Sequence, residues 1–314
     1  MSPDRRTRFI YSPKYVADAG DHVFPTRKFA LTAERLLRDG IARAEDFVAP
    51  AAPGREDLLL AHAPGWVDRA LTGKLTLDEE TRLELPWSAA LAKAHALAVS
   101  GTILTCRLAL TEGVGLHIGG GAHHAFPDHG EGFCAFNDIA CGILKMRAEG
   151  RIRRAAVVDL DVHQGNGTNA IFAGDKDVLT FSMPQGDLYP EIKTPGDVDI
   201  ELRAGMRDEE YLNLLGRHLP KALDRRKPEL VVYQAGVDCY EKDSLGGLRL
   251  SKEGLRRRDE FVFIACSERG VPVAVTLGGG YAESIEETVT LHTQTLTLAS
   301  RIARHASQQG VTAI

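Results

Sequence analysis

The residues able to do chemistry fall into four short blocks. His123 and His124 stand in GGGAHHAFPDHGEGF, while Asp159, Asp161, His163 and Asn166 stand in DLDVHQGNGT. Asp238 stands in AGVDCYEKDSLGG, and Tyr281 directly follows the triplet Gly278–Gly280. Asp159, Asp161 and His163 are two apart, and on an extended chain that period sends all three side chains to one side. An Asp and a His so spaced can share one metal ion, and Asp238 can supply a third ligand. Two carboxylates and one imidazole without a thiolate suit Zn²⁺, Fe²⁺ or Mn²⁺ and leave a coordination position open for water and substrate. Alone, DxDxH also fits a solvated turn or a helix cap; the separate Asp238 block points to metal.

Neighbouring histidines on an extended backbone diverge, so His123 and His124 each need their own partner to fix a tautomer. Asp159 and Asn166 are the candidates. His62, His95, His218, His292 and His305 read as surface or satisfied core residues. Tyr281 either packs or delivers a phenol that donates to a developing oxyanion. The glycine triplets Gly119–Gly121 and Gly278–Gly280 do not open a phosphate loop, because no GK[ST] or GxGxxG follows. Phe133, after Gly132, is either a core anchor or a substrate wall. Cys134 and Cys239 lie nearby without a dedicated base, which disfavours a cysteine hydrolase.

These blocks follow short, continuously apolar runs: Arg8–Ser12, Val114–Ile118, Ala155–Leu160, Val178–Ser182, Leu230–Gln234 and Pro272–Leu277. Such runs suit strands buried on both faces of a parallel sheet. Between them, Ser88–Thr111, Asp208–Leu223 and Lys252–Arg269 carry helical periodicity. The alternation predicts an α/β fold, one doubly wound, mostly parallel sheet flanked by helices. Ligands of such sheets sit outside the carboxyl ends of the strands, where all four blocks lie. No linker, repeat or low-complexity tract divides residues 1–314, so a single domain is expected.

With 314 residues, 44% apolar and 26% charged, the chain has globular proportions and can bury a core without metal or disulfide staples. Thirty-eight Lys and Arg against 43 Asp and Glu leave a formal charge of −5, which argues against direct nucleic-acid binding. No apolar run approaches the ~20 residues of a membrane helix, and MSPDRRTRF lacks the apolar core of a secretory signal, so a cytoplasmic protein is expected. Five cysteines without a CxxC pair disfavour a disulfide framework or a thiolate zinc site.

In their order, GGAHHAF, GFCAFND, DLDVHQGNGT, QAGVDCYEKDSLGGL and LGGGY resemble the blocks of the histone deacetylase family, which includes acetylpolyamine amidohydrolases and acetoin-utilisation proteins. The resemblance runs from YSPKY at Tyr11–Tyr15 to Tyr281. Gln164, where most members have a second His, and SLGGL are most similar to the class IV branch. The resemblance implies an arginase/deacetylase-like fold and one Zn²⁺ per chain held by Asp161, His163 and Asp238. It implies that His123 and His124 are the tandem histidines, partnered by Asp159 and Asn166, and that Tyr281 is the transition-state tyrosine. It further implies that Gly132 and Phe133 wall an acyl-lysine tunnel, with Gly279 among the substrate-binding positions. Leu188–Tyr189 falls on the opposite wall, although Met183–Glu191 departs from the family pattern. A K⁺ site would use Asp159 and Ser182.

The implied activity is hydrolysis of the amide in Nε-acyl-lysine of a protein or peptide, with class IV likeness extending it to long-chain acyl groups. Alternatives are an amidohydrolase of acetylated polyamines or other acylated amines, and a non-catalytic acyl-lysine-binding protein. The entrance loop Asp18–Lys28 does not decide between substrates, because it holds Asp18 and Asp21 but also Arg27 and Lys28. An arginase-like two-Mn²⁺ centre would need bridging Asp residues that Gly165–Asn166 does not offer. Oligomeric state is not legible.

Overall fold

A computed structural model describes residues 7–308. Its strands are Phe9–Ile10 (β1), Phe47–Val48 (β2), Val114–His117 (β3), Ala155–Asp159 (β4), Val178–Ser182 (β5), Val198–Asp199 (β6), Leu230–Gln234 (β7) and Val273–Thr276 (β8). They form one sheet in the order β2-β1-β3-β8-β7-β4-β5-β6, and every strand pair is parallel. The helices are Arg27–Arg38 (α1), Arg55–Leu58 (α2), Pro64–Thr72 (α3), Leu77–Leu83 (α4), Ala89–Glu112 (α5), Asp138–Ala148 (α6), Asn166–Ile171 (α7), Asp208–Arg226 (α8), Lys252–Ser267 (α9) and Ile285–Gln308 (α10).

Alternate side chains of the central strands feed opposite cores. Val157 and Val232 join the layer containing α5 and α6, whereas Val158, Val231 and Tyr233 join the layer of α8, α9 and α10. This two-sided burial explains the unbroken apolar runs. The expected strands β5 and β7 match to the residue. The edge strands β2 and β6 were not expected, since two residues make no detectable run.

α5 begins on Ser88, whose Oγ accepts the Leu91 N–H at 3.1 Å, and ends at Gly113 with φ of 86°. It corrects one expectation: by length and composition it could cross a bilayer. Most of its apolar window is instead buried within the protein, against α6, β3 and β8.

The chain runs from β3 across two strand positions to β4, builds outward through β5 and β6, then returns to insert β7 and β8. The carboxyl ends of β3, β8, β7 and β4 therefore lie side by side, the position at which such sheets bind ligands.

Candidate active site and metal centre

Asp161 and His163 leave the end of β4, and Asp238 leaves the end of β7. His163 Nδ1 lies 3.1 Å from Asp161 Oδ1 and 3.2 Å from Asp238 Oδ2, and the three donor atoms lie within 4.8 Å of one another. All three side chains are buried. Burial opposes charge on His163, but the hydrogen bonds to the two carboxylates outweigh it and raise the imidazole to about 10. Burial raises the Asp238 carboxyl, and Asp161 beside it adds to the rise. Two convergent buried carboxylates call for a cation. The donor set fits a divalent ion.

Further hydrogen bonds aim the donors. Asp161 Oδ2 accepts from Gln234 Nε2 and from the Gly279 N–H, each at 2.9 Å, and Asp238 Oδ1 accepts from the Val162 N–H at 2.9 Å. Gly279 must lack a side chain, since a Cβ would lie 2.0 Å from Asp238 Oδ2. It borders the cavity, but its N–H is committed to the Asp161 carboxylate.

His123 Nδ1 lies 2.7 Å from Asp159 Oδ2, and His124 Nδ1 lies 2.7 Å from Asn166 Oδ1, the expected partners. The expectation that the rings diverge is corrected. The chain turns here, with the His123 N–H bonded to Gly121 O, so both rings face one side with centroids 4.1 Å apart. Burial alone would lower His123, but the charges of Asp159 and Asp161 raise it to about 9. Burial, reinforced by the charges of His123 and His163, lowers His124 well below its ordinary value. One imidazole is thus held charged and the next is held neutral.

Tyr281 borders the same space. Its phenol is raised well above the ordinary value by burial and then by Asp161 and Asp238, so it remains a hydrogen-bond donor. Its backbone is clamped by Asp243 Oδ2, which accepts the Tyr281 N–H at 2.6 Å, and by Ser244, whose Oγ donates to Tyr281 O at 2.7 Å. Lys28 overturns the picture of an entrance cation. It is fully buried, donates to Gly278 O at 2.8 Å and lies 5.1 Å from the Tyr281 ring centroid. Burial lowers it to about 8.

A cavity of about 310 Å³ joins these groups. Gly132, Phe133, Leu188 and Tyr189 line it, as do His123, His124, Asp161, His163, Gly279 and Tyr281. A Cβ on Gly132 would approach His124 to 2.8 Å and Tyr189 to 2.9 Å. Asp159, Asn166 and Asp238 stand behind the lining. The cavity continues to Phe24, Phe29, Leu91, Ala94, His95 and Ala98. His95, expected to be an ordinary core or surface residue, therefore borders it.

Ser182 faces Asp159 in the β4–β5 register, and its buried Oγ has no hydrogen-bond partner among the described residues. All five cysteines are free and buried, and burial pushes the Cys134 and Cys239 thiols up, which removes them as nucleophiles. Sequence reasoning missed Lys28, Gln234, Asp243 and Glu131. Lys28 sits in the run Arg27–Lys28 at a helix start, which reads as solvated.

A family model described as "Histone deacetylase domain" matches residues 22–296. The chain belongs to the histone deacetylase family. An uncharacterized protein of Picosynechococcus is 43% identical over 284 residues, covering 90% of this chain and 95% of that protein. Histone deacetylase 2 of Arabidopsis thaliana is 32% identical, covering 90% of this chain and 76% of its own. A probable deacetylase of Methanothermobacter thermautotrophicus is 31% identical, covering 75% of this chain and 74% of its own. Among solved structures, a histone deacetylase homologue in complex with SAHA superposes with TM-score 0.80 at 21% identity, over 96% of this chain and 84% of that one. The last likeness establishes the deacetylase fold.

Proposed function

We propose that the protein is a zinc-dependent hydrolase of the amide bond in Nε-acyl-lysine, acting on proteins or peptides in the cytoplasm. One observation carries this reading. A three-donor centre, a charged and a neutral histidine, and a phenol meet in one cavity whose walls are Gly132, Phe133, Leu188 and Tyr189. Asp161, His163 and Asp238 would hold Zn²⁺, which when bound polarises the acyl carbonyl and acidifies a water.

The chain's own residues do the rest. His124, neutral and aimed by Asn166, accepts the proton of the attacking water at Nε2. Tyr281 donates its phenolic hydrogen to the oxygen on which negative charge develops. His123, charged and held by Asp159, lowers the energy of that negative charge. A proton then returns from the imidazole to the leaving amine. Phe133 and Tyr189 flank the substrate's methylene stem and exclude water. The unpartnered Ser182 Oγ beside Asp159 fits a K⁺ ion beneath the site.

The cavity's extension to Leu91, Ala94 and Ala98 supports acyl groups longer than acetyl. Gln164 and the SLGGL block support class IV membership, and five free cysteines suit a reducing compartment. The test is turnover by the zinc-loaded protein on acetyl-, octanoyl- and myristoyl-lysine peptides and on acetylputrescine. Hydrolysis of the peptides, with the longer acyl groups preferred, is expected. Zero turnover on every peptide with hydrolysis of acetylputrescine would replace the lysine deacylase by a small-molecule amidohydrolase.

A further inference from the structure

Glu131 precedes the two residues that wall the cavity. The Glu131 N–H donates to Cys134 O at 3.1 Å and the Cys134 N–H donates to Glu131 O at 2.8 Å, closing a two-residue reversal. Gly132 and Phe133 both have positive φ, 50° and 66°, as a type I′ turn requires. Phe133 is strained there, because a side chain at positive φ crowds the following carbonyl. The surroundings hold it: the Gly132 and Phe133 N–H groups donate to Arg82 O and Leu83 O at the end of α4.

The same turn carries the Glu131 side chain behind the histidine pair. Asn166 Nδ2 donates to Glu131 Oε1 at 2.5 Å, and the Tyr189 hydroxyl donates to the same oxygen at 3.1 Å. Asn166 Oδ1 faces His124 Nδ1 at 2.7 Å, and the Tyr189 ring stands at 88° to the His124 ring with centroids 5.0 Å apart. Both neighbours of His124 are therefore tied to one carboxylate. Since Nδ2 must donate to Glu131, Asn166 is fixed with its oxygen toward His124, and His124 carries its proton on Nδ1 with Nε2 free to accept.

The consequence is electrostatic as well as orientational. An amide alone aims an imidazole but adds no net charge when the imidazole becomes cationic. A carboxylate on the far side of that amide polarises it, and hydrogen bonds in a chain strengthen one another. Burial works against charge on Glu131, but hydrogen bonds from His129, Asn166 and Tyr189 outweigh it and hold the carboxyl below its ordinary value. His129 lies between Asp128 and Glu131, and Glu84 is a further carboxylate whose charge interacts with Glu131.

The geometry points to Glu131 as a positioning residue that locks Asn166 and Tyr189 around His124 and delivers through Asn166 the negative charge that an aspartate at 166 would deliver directly. This rests on His124 as the base of the proposed hydrolysis. The experiment compares Glu131→Gln, Asn166→Ala, their double variant and Asp128→Asn, all zinc-loaded. Glu131→Gln lowers kcat about tenfold with KM within about threefold. The double variant loses less than the product of the two single losses, because the charge acts through that amide and only the Tyr189 contact remains to be lost. Asp128→Asn leaves kcat unchanged.

Multiplying losses in the double variant, an intact kcat in Glu131→Gln, or an equal loss in Asp128→Asn would overturn the relay. A second readout needs no substrate. In histidine-labelled protein the His124 Nδ1–H resonance moves upfield in Glu131→Gln and stays in place in Asp128→Asn. An unmoved resonance in Glu131→Gln overturns the inference whatever the substrate. A moved one in a protein inactive on every acyl-lysine supports the relay while the proposed function fails.

Discussion

Gly279→Ala tests whether Asp161 and Asp238, the carboxylates that would hold the metal, are fixed by backbone proximity. Gly279 does not adopt the left-handed conformation, so alanine adds no backbone strain. The added Cβ would lie 2.0 Å from Asp238 Oδ2 and 2.5 Å from Asp161 Oδ2. Against an ordinary C···O contact of about 3.3 Å, the overlaps are about 1.3 and 0.8 Å. Neither carboxylate is free to yield. Asp161 Oδ2 is fixed by Gln234 and by the Gly279 N–H, and Asp238 by the Val162 N–H. The Gly279 carbonyl also accepts from the Val237 N–H at 2.9 Å, so retreat of this segment costs a second buried bond. Zinc affinity is expected to fall about 10²-fold or more, roughly 3 kcal/mol, the upper scale for loss of a group that orients a ligand. Competition with a chromophoric chelator measures it, with circular dichroism as the check on folding. Gly150→Ala is the control: φ is 67° but nothing lies within 4 Å, so it loses only the ~1–2 kcal/mol of left-handed strain and keeps its zinc. Wild-type zinc affinity in Gly279→Ala, or equal losses in both variants, would refute the reasoning.

Two further outcomes are expected. Tyr281→Phe should lower kcat by about 10²–10³-fold with KM nearly constant in a continuous peptide assay, since one donor to a developing oxyanion is removed; unchanged kcat would take the tyrosine out of the mechanism. Acid should destabilise the fold early. His62 is held neutral by bonds to Phe126 O and from the Asn137 N–H, and burial lowers it to about 4. Burial likewise lowers His117, between Tyr15 and Thr102, to about 3. The folded state then binds fewer protons than the unfolded chain, so this stability is present above pH ~6.5 and is lost as pH falls towards about 4. The slope is about 1.4 kcal/mol per pH unit for each histidine, and urea midpoints that stay flat from pH 6.5 to 5 would contradict it.

The parts of the site visible in the sequence are those whose chemistry is rare for their surroundings. An Asp-x-Asp-x-His run or a His pair stands out after an apolar strand, and the pairing of His123 with Asp159 and of His124 with Asn166 follows from residue type. The supporting residues are invisible because their role depends on burial that spacing does not encode. Lys28 resembles any cation at the start of an amphipathic helix, yet its ammonium is enclosed beneath Gly278. Gln234 and Asp138 look like the last residue of a strand and the first of a helix. Gln234 binds Asp161, and Asp138 accepts the Gly121 and Ala122 N–H groups that shape the histidine loop. Both edge strands escaped notice, and neither touches the site.

The histidine pair shows how little separates an acid from a base within one fold. Both rings are buried, adjacent in sequence and 4.1 Å apart, so burial and the nearby Asp161 carboxylate act on both. Their protonation differs because one Nδ1 meets a carboxylate and the other an amide. Once His123 is charged, its field further suppresses a proton on His124. Groups driven apart in this way are the ones suited to hold a charge and to accept a proton in the same reaction. Placing the second carboxylate, Glu131, behind the amide preserves the difference. His124 keeps its basic form in the resting site yet has a negative charge within reach, through Asn166, when it takes up the proton.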